Sequence, residues 1–482
     1  MYGFVYLDNI AIIAAEDIKR LHLAIFGTAL QITEIADNAD LSITVIDSTI
    51  DIIGNAYCAA KGISIERSIN PYQYSIKKLV LNLFLQAIEH DFNRRLPWGI
   101  LTGIRPLKLY RKLNETTCME DAENTLKDFF LVSEQKIKLL RDVFVIQEQI
   151  LKKQNINKQV SIYIGIPYCP SKCNYCTFLG YVGRDNEEQA VFFHTMLHEL
   201  RWTLNWLVTH DMSVASIYIG GGTPSMLTAN QIEQLFQTIE QGINKNCQEI
   251  TFEAGRPDTI TIEKIDILKH AGVNRISINP QTFNELTLRK MNRKHSIKDI
   301  FNIYEHARKR NFDQINMDLI LGLPYESLID IKNTLQVMEN LMPESVTVHT
   351  LSLKTKSKLK EQIPIEDFRR ATDISRLVEE SQAWALSAGY KPYYLYRQKN
   401  IAGNLENVGY AKPDKYSLYN IYIMEELMPI IGIGCGSVSK IINASTGKLN
   451  RLANPSEPQY YIQHIEEIID KKHKHLPELL TI

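Results

Sequence analysis

From residue 159 onward, short apolar runs alternate six times with longer segments that have the spacing of amphipathic helices. The predicted strands are VSIYIGI (160–166), VASIYIGG (214–221), EITFEA (249–254), NRISIN (274–279), QINMDLIL (314–321) and SVTVHTL (345–351). Nearly continuous apolar strands separated by helices predict a parallel sheet that helices cover. Six such units predict an open or partial barrel of the TIM type, in an α/β protein.

The helical segments between these strands carry end signals. TANQIEQLFQTIEQGI begins next to Thr228, which suits a helix N-cap, and TIEKIDILKHAGV ends at Gly272, which suits a C-cap. These signals support a helix after the second and third strands.

The flanking sequence predicts two further regions. Residues 1–155 combine β-branched runs with helical periods and end in the polar stretch KKQNINKQ, which predicts an N-terminal α/β accessory domain followed by a linker. Residues 156–355 form the predicted barrel, and residues 356–482 form a C-terminal extension on the substrate side.

Charge and hydropathy limit the function classes. The chain has 54 Lys and Arg against 55 Asp and Glu, so no general basic field is available to bind nucleic acid. No segment approaches the roughly 18 consecutive apolar residues of a membrane span. The N-terminus does not resemble a signal peptide, and four of the seven cysteines are scattered singly. We therefore expect a cytoplasmic protein without disulfides.

Unusual polar residues follow five consecutive predicted strands. Cys169, Cys173 and Cys176 follow the first, and GGGTP, residues 220–224, follows the second. Glu253 ends the third strand, Gln281 follows the fourth, and Asp318 lies in the fifth. In parallel βα architectures the ligand site lies at the carboxyl ends of the strands, so we expect these residues at one edge.

The three clustered cysteines predict a metal centre. A structural zinc site needs a fourth ligand, and the nearest candidates, His194 and His198, lie further along on a helix. An iron–sulfur cluster that only transfers electrons takes four thiolates, so three would leave one iron open to a ligand. The loop CPSKCNYC is polar and contains proline, which is not typical of cysteines that merely pack in a core.

The Cys-x3-Cys-x2-Cys loop after the first strand of a partial barrel resembles that of radical S-adenosylmethionine (SAM) enzymes. This resemblance implies a [4Fe-4S] cluster on Cys169, Cys173 and Cys176, with SAM chelated to the remaining iron. It also implies reductive cleavage of SAM to a 5′-deoxyadenosyl radical that abstracts hydrogen. GGGTPS is similar to the stretch that contacts the methionyl end of SAM, which assigns cofactor contacts to Gly221, Gly222 and Thr223.

Further segments resemble the oxygen-independent coproporphyrinogen III oxidase family. They are TFEAGRPDT, RISINPQTFNELTLRKMNRKH and INMDLILGLP, in that order. The resemblance implies SAM contacts at Glu253, Gln281, Arg293 and Asp318, and cofactor-side positions at Tyr163 and Tyr175. WGILTGIRPLKLYRKL (98–113) and GYKPYYLYRQKNIAGNLENVGYAKP resemble the coproporphyrinogen dehydrogenase (HemZ-type) branch.

Two positions depart from the oxidase pattern. Oxidases of this family often have histidine where this chain has Gly165 and a further cysteine where it has Phe178. Both changes remove polar groups beside the cysteine loop, and the dehydrogenase branch and the related haem chaperones share the aromatic residue at 178. The departures leave a radical SAM fold in place and bear on whether decarboxylation is retained.

The resemblance implies oxidative decarboxylation of two propionates of coproporphyrinogen III without oxygen, in haem biosynthesis. An anionic tetrapyrrole substrate would need cationic groups and aromatic faces, and YYLYRQK offers Arg397 and Lys399 with Tyr393, Tyr394 and Tyr396. A separate electron donor is expected, and no catalytic residue is assigned. A haem-binding transfer protein and a radical SAM methyltransferase are the alternatives.

One glycine-rich stretch near the C-terminus, IGIGCGSVS, does not have the spacing of a dinucleotide-binding loop. We expect its glycines to permit close backbone packing at the active-site mouth. Cys435 within it is expected to be a small buried residue.

Overall fold

The chain divides into two structural units, each built from separate stretches of sequence. The computed structural model describes residues 4–8, 10–26, 30–33, 36, 39–47, 52–58, 62–70, 73–101, 105–154, 158–178, 180–182, 185–243, 247–352, 358–359, 371–398 and 401–480. Unit 1 comprises Met1–Phe144, Thr350–Glu380 and Leu395–Asn407, and unit 2 comprises Val145–His349, Ser381–Tyr394 and Val408–Ile482. The two units interleave along the chain. The three consecutive domains, residues 1–155, 156–355 and 356–482, stay a prediction.

Unit 1 contains a mixed sheet. Its strands, over the residues described, are Phe4–Leu7 (β1), Gln31–Thr33 (β2), Leu41–Asp47 (β3), Ile52–Cys58 (β4) and Ile63–Ile69 (β5). They lie in the order β2-β1-β3-β4-β5, with β1 parallel to both of its neighbours and β3, β4 and β5 antiparallel. The predicted strands LSITVIDSTIDII form β3 and the start of β4.

Helices complete this unit: Ala15–Phe26 (α1), Ile76–Phe92 (α2), Pro106–Thr116 (α3), Met119–Asp128 (α4) and Glu134–Leu151 (α5), the last of which continues into unit 2. Helix α2 packs on the sheet through a buried apolar face that includes Leu79 and Leu83. Gly54 of β4 allows this contact, because a Cβ at that position would lie 2.6 Å from Leu83 Cδ1.

The six strands predicted after residue 159 all form in unit 2: Gln159–Ile166 (β6), Ser213–Gly221 (β7), Glu249–Glu253 (β8), Arg275–Ser277 (β9), Gln314–Leu321 (β10) and Ser345–Thr350 (β11). Five later strands follow: Lys391–Tyr396 (β12), Asn407–Ala411 (β13), Ile430–Ile433 (β14), Val438–Ile442 (β15) and Leu449–Ala453 (β16). The sheet order within the described residues is β12-β13-β11-β10-β9-β8-β7-β6-β14-β15-β16. Pairing from β6 to β10 is parallel throughout, as predicted.

Helices lie between these strands: Asn186–Thr209 (α6), Ala229–Gly242 (α7), Ile262–His270 (α8), Glu285–Lys290 (α9), Ile297–Lys309 (α10), Leu328–Leu341 (α11), Ala371–Ser387 (α12), Leu418–Glu425 (α13), Pro458–Gln463 (α14) and Ile465–His475 (α15). Short 3-10 turns are Ala11–Ala14, Pro224–Met226, Ala402–Asn404 and Leu476–Leu479. The predicted cap at Thr228 is confirmed as a full capping box with Gln231. Gly272 ends α8 with φ +81°.

The C-terminal strand β14 joins the sheet beside β6, in parallel register. Its glycine-rich continuation packs on β6 as expected, since a Cβ at Gly434 would lie 2.4 Å from Gly165 O. Cys435 is buried. Across the described part of the chain, no helix has both the length and the apolar character that crossing a bilayer requires.

Candidate active site

The cysteine loop leaves the carboxyl end of β6 and is closed at its base by main-chain hydrogen bonds. Cys169 N donates to Tyr181 O at 3.0 Å, and Tyr181 N donates to Pro167 O at 2.9 Å. Within the loop, Cys176 N donates to Cys173 O at 3.1 Å. These contacts close a compact loop that carries all three cysteines at the end of β6.

The segment after α9 supports the same loop. Asn174 N donates to Met291 O at 3.1 Å, and its side chain donates to Lys290 O at 2.9 Å. Asn292 Nδ2 donates in return to Lys172 O at 2.8 Å. The cysteine loop is thus anchored to a part of the chain more than a hundred residues away in sequence.

The glycine-rich stretch after β7 lies directly against the cysteine loop. Gly222 N donates to Ile166 O at 2.7 Å, and a Cβ on Gly222 would lie 2.8 Å from Tyr168 O and 3.0 Å from Cys169 Sγ. Gly221 has φ +113°, a conformation that favours glycine. Thr223 Oγ1 donates to Cys169 Sγ at 3.3 Å. The close approach explains why this stretch is glycine.

The thiols of the cysteine loop are partly buried from solvent. Burial raises the pKa of Cys169 and raises that of Cys176 to about 11. A bound cation would offset this effect, because coordination deprotonates a thiol. The described residues include no group of three or more His, Cys, Asp or Glu side chains that could hold one metal ion. Each thiolate of an iron–sulfur cluster binds a different iron, so the three thiols of this loop need not converge on a single ion.

Arg293 connects the cysteine loop to the neighbouring strand ends. Its Nη1 donates to Tyr175 Oη at 2.9 Å, and its Nη2 donates to Gly255 O and Asn279 O, both at 2.8 Å. Its Nε and the Oδ1 atom of Asn279 are buried and lack a hydrogen-bond partner among the described residues. Buried polar atoms without partners are costly, so these two fit a site that a polar ligand completes.

Three tyrosine rings, two from neighbouring strands and one from helix α13, stack on one another. Tyr163 lies opposite Tyr218 in the β6–β7 register, with ring centroids 6.2 Å apart. Tyr419 of α13 stacks on Tyr218 at 4.5 Å and on Tyr163 at 6.2 Å. Together these rings form an aromatic wall beside the strand ends.

Glu253, at the end of β8, lies next to this wall. Tyr218 Oη donates to Glu253 Oε1 at 2.5 Å. Burial raises the pKa of Glu253 to about 7, and the charge of Asp318 acts in the same direction. Gly220 lies so near that a Cβ there would be 3.1 Å from the carboxyl carbon. The side chain can therefore change charge close to neutral pH.

The pKa of Asp318, in β10, is shifted in the opposite direction from that of Glu253. Burial alone would raise its pKa, but hydrogen bonds and charge from His349, with hydrogen bonds from Asn316 and Thr347, lower it overall. His349 Nε2 lies 3.7 Å from Asp318 Oδ2, and Asn316 Nδ2 donates to Oδ1 at 2.8 Å. Gln281 follows β9 with φ +67°, and its N–H donates to Asp318 O at 2.9 Å.

The predicted cluster and cofactor residues thus all lie in unit 2, at or beside the carboxyl ends of β6 to β10. Arg397 lies elsewhere, in unit 1, where it is buried. Its Nε donates to Leu405 O at 3.2 Å, its Nη2 to Asn404 O at 2.8 Å, and its Nη1 to Leu101 O. Binding a propionate would require replacing these bonds.

Lys399 lies outside the described residues. Two of the predicted substrate-side tyrosines, Tyr393 and Tyr394, are buried in unit 2. Asn420 Nδ2 donates to the hydroxyl of Tyr393 at 3.2 Å, so this ring is held within the protein.

Sequence reasoning missed several residues around this site, namely Tyr218, Arg256, Asn279, His349 and Tyr419. A signal existed for Tyr218, because the string SIYIG occurs at both 161–165 and 216–220 and the two copies pair residue for residue. His349 faces Asp318 because both occupy half-exposed positions on β10 and β11. Arg256 lies in TFEAGRPDT, a segment in which the family resemblance assigned a role to Glu253 alone, and Tyr419 gave no local signal.

Comparisons with known proteins agree with this site. The sequence profile of the radical SAM superfamily matches residues 163–338. The chain is 42% identical over 409 residues to the oxygen-independent coproporphyrinogen-III oxidase-like protein HemZ of Bacillus subtilis (strain 168), covering 84% of this chain and 82% of that relative. The chain therefore belongs to the HemZ-type, oxygen-independent coproporphyrinogen-III oxidase-like family of the radical SAM superfamily.

Two other relatives place the family in context. The haem chaperone HemW of Buchnera aphidicola subsp. Schizaphis graminum is 29% identical over 320 residues, with 65% of this chain and 79% of that protein covered. The solved structure of coproporphyrinogen III oxidase (HemN) from Escherichia coli matches with a TM-score of 0.53 and 23% identity, covering 66% of this chain and 72% of that chain. The predicted radical SAM fold is confirmed, and this superfamily implies a [4Fe-4S] cluster and SAM as cofactors.

Proposed function

We propose that this protein catalyses the oxygen-independent oxidative decarboxylation of coproporphyrinogen III to protoporphyrinogen IX. The observation that carries the proposal is the sequence identity to HemZ over most of both chains. It is combined with three cysteines that lie, like Arg293, Glu253 and Asp318, at or beside the carboxyl ends of the parallel strands. Cys169, Cys173 and Cys176 would hold the cluster. The chemistry supplied when cluster and SAM are bound is reductive cleavage to a radical that abstracts hydrogen.

The polar rim would orient SAM. Gly221 and Gly222 lie against the cysteine loop without a side chain between, which would let the methionyl end of SAM approach the main chain there. Arg293 would contribute a buried positive charge on the same side, held in place by Tyr175. Ionised Asp318, with Gln281 beside it, would accept hydrogen bonds from ribose hydroxyls.

Glu253 and the tyrosine wall have complementary tasks in this proposal. Glu253 would accept hydrogen bonds from SAM when ionised, and Tyr218 would keep its carboxylate oriented. The rings of Tyr163 and Tyr419 would exclude water from the space beside the reacting groups. Each propionate loses a hydrogen atom, an electron and carbon dioxide as it becomes vinyl, so a one-electron acceptor is also needed.

The test is anaerobic incubation of the reconstituted protein with SAM, coproporphyrinogen III and just enough dithionite to reduce the cluster, with a one-electron acceptor added afterwards, followed by chromatography of the oxidised porphyrins. The proposal expects products with one and then two vinyl groups, formed together with 5′-deoxyadenosine. A Cys173→Ser variant is the control and should give neither. Absence of any vinyl product from a protein that cleaves SAM would contradict the proposal.

Haem transfer is a second candidate, which the likeness to haem chaperones supports. Phe178, an aromatic position that the dehydrogenase branch and the haem chaperones share, is 71% exposed beside the cysteine loop. Several relatives named heme chaperone HemW also match more than half of this chain. In the same assay this function would give haem binding without vinyl product, while formation of S-adenosylhomocysteine would indicate a methyltransferase.

Substrate contacts remain a proposal for Arg397 and Lys399. Because Arg397 is buried and bonded to main-chain carbonyls, Arg397→Ala would also disturb unit 1. Lys399→Ala is therefore the cleaner variant. If the Lys399→Ala and the combined Arg397→Ala, Lys399→Ala variants both bind and convert coproporphyrinogen III as the parent does, these contacts are wrong.

A further inference from the structure

We propose that Arg256 is a positioning residue that raises the reduction potential of the cluster through its contact with Cys173. The inference rests on the proposed cluster site and names a determinant of its redox behaviour. Arg256 lies in the loop that follows β8, three residues after Glu253. It joins the cysteine loop to the strand end that carries the SAM-side carboxylate.

The contacts of Arg256 are directed at the cysteine loop. Nη1 donates to Ser171 O at 3.0 Å and lies 3.6 Å from Cys173 Sγ, within the range of a hydrogen bond to sulfur. Nη2 donates to Ser171 Oγ at 3.0 Å. The side chain is only 5% exposed, so water screens these interactions little. Its planar guanidinium therefore holds the loop in one orientation while placing a positive charge beside a thiolate.

Asp258 holds the other edge of the same guanidinium. Arg256 Nε donates to Asp258 Oδ1 at 3.0 Å, and Nη2 donates to Oδ2 at 2.8 Å. Burial would raise the pKa of Asp258, but the bonds and charge of Arg256 lower it, so the carboxylate is ionised at neutral pH. The positive charge near Cys173 is thus partly compensated, and the pair offers two variants with opposite effects on local charge.

The nearby His295 does not change this balance. Its ring is buried, and burial, with the charge of Arg293, lowers its pKa to about 3. It is neutral at the pH of any practical measurement. The charged side chains that act on His295 are those of Arg293, Asp258, Arg256 and Asp299, and Arg256 is the one that contacts Cys173.

A positive charge and an N–H donor at a cluster thiolate stabilise the reduced state, because reduction adds one negative charge to the cluster. Hydrogen bonds to sulfur and local charge are established determinants of cluster potential. One electron from a chemical reductant such as dithionite enters the cluster, and no bond to protein breaks. Removing Arg256 should therefore lower the potential, and removing the Asp258 charge should raise it.

The test is potentiometric titration of the reconstituted full-length protein without SAM, monitored by the EPR signal of the reduced cluster. Arg256→Gln is expected to shift the midpoint downward, Asp258→Asn upward, and Arg256→Lys downward by less than Arg256→Gln. Iron and sulfide content are measured on each sample. Arg308→Gln is the control, because Arg308 also pairs with a carboxylate, donating through Nη1 to both oxygens of Glu344, and has no contact with the cysteine loop among its bonds within the described residues, so the midpoint should stay unchanged.

A purely structural clamp predicts a different pattern. It would reduce iron content in the Arg256 variants and leave the midpoint of the remaining clusters unchanged. If Arg256→Gln retains no cluster, the midpoint potential of Asp258→Asn still tests the proposal, because it should shift upward. Unshifted midpoints, or midpoints that shift in the same direction in Arg256→Gln and Asp258→Asn, would overturn the role of Arg256 and leave the proposed function standing. A parent protein that binds no cluster would overturn the proposed function and this inference together.

Discussion

Thr223 Oγ1 donates a hydrogen bond to Cys169 Sγ at 3.3 Å. This contact joins the glycine-rich stretch after β7 to the cysteine loop after β6, two motifs separated by more than fifty residues. They meet because β6 and β7 are parallel neighbours, with Ile166 opposite Gly221. A substitution in either motif should therefore alter the conformation of the other.

Gly222→Ala should weaken retention of the cluster. The new Cβ would lie 2.8 Å from Tyr168 O and 3.0 Å from Cys169 Sγ, so the backbone of the cysteine loop must move. We expect a clear loss of iron per protein after anaerobic reconstitution and desalting. Gly242→Ala is the control, because its Cβ would be at least as crowded, 2.5 Å from Leu204 Cβ, but against helix α6 and not against the cysteine loop. Equal iron content in the two variants would show that the close approach is unimportant.

Binding of SAM should depend on pH through Glu253. Burial raises the pKa of this carboxyl from 4.5 to about 7 in the folded, ligand-free protein. If SAM binds the ionised form, its affinity should be full above pH 7 and fall about tenfold per pH unit below it, since one proton must be displaced. Calorimetric titration of the reconstituted protein between pH 6 and 8 measures this dependence. Glu253→Gln should bind more weakly and show a flat profile; a sloping profile in that variant would assign the proton elsewhere.

Tyr218→Phe should move this midpoint upward. The phenol hydrogen bond stabilises the ionised form of Glu253, so its loss raises the pKa of the carboxyl further while the ring stack remains. The same calorimetric series measures the shift. Tyr163→Phe, whose hydroxyl is not among the atoms bonded to Glu253, should leave the midpoint near that of the parent. A midpoint that moves downward in Tyr218→Phe would contradict the assignment.

A buried ion pair between helices α6 and α15 should be costly to break. Lys472 Nζ lies 2.7 Å from Glu199 Oε1, and both side chains are almost fully buried. Lys472→Met leaves Glu199 charged without its partner, which should lower the free energy of unfolding by about 3–5 kcal/mol. Urea denaturation of the iron-free protein measures the loss.

The matched control removes both charges. Glu199→Gln with Lys472→Met should recover part of the stability, because no uncompensated charge remains. Recovery is incomplete, because Asn454 Nδ2 donates to Glu199 Oε1 at 2.8 Å and would face the NH2 group of Gln, while the Gln oxygen keeps the bonds from Gly434 N and Tyr461 Oη. A single variant that loses less than about 1 kcal/mol would show that water reaches this pair.

The helices and strands of unit 2 were largely predictable, because local periodicity decides them. Alternating strand and helix segments predicted β6 to β11, and the caps at Thr228 and Gly272 are confirmed. Parallel order then requires that strand ends meet at one edge, which is why Glu253 and Asp318 lie near the cysteine loop. The thiol spacing and the glycine stretch are local in sequence and were visible at once.

The surroundings of the site were decided by tertiary structure. Tyr419 and His349 reach it from segments far apart in sequence, and nothing in their own neighbourhoods predicts this. Arg256 lies in the same segment as Glu253, but its contact with Cys173 depends on how that segment packs against the cysteine loop. Arg397 is the reverse case, because a basic residue in an aromatic run suggested a substrate contact, and the fold buries it among main-chain carbonyls of unit 1. The sequence by itself determined which elements form and which motifs they carry. Which side chains face the motifs depends on packing summed over distant segments, and only the folded chain decides that.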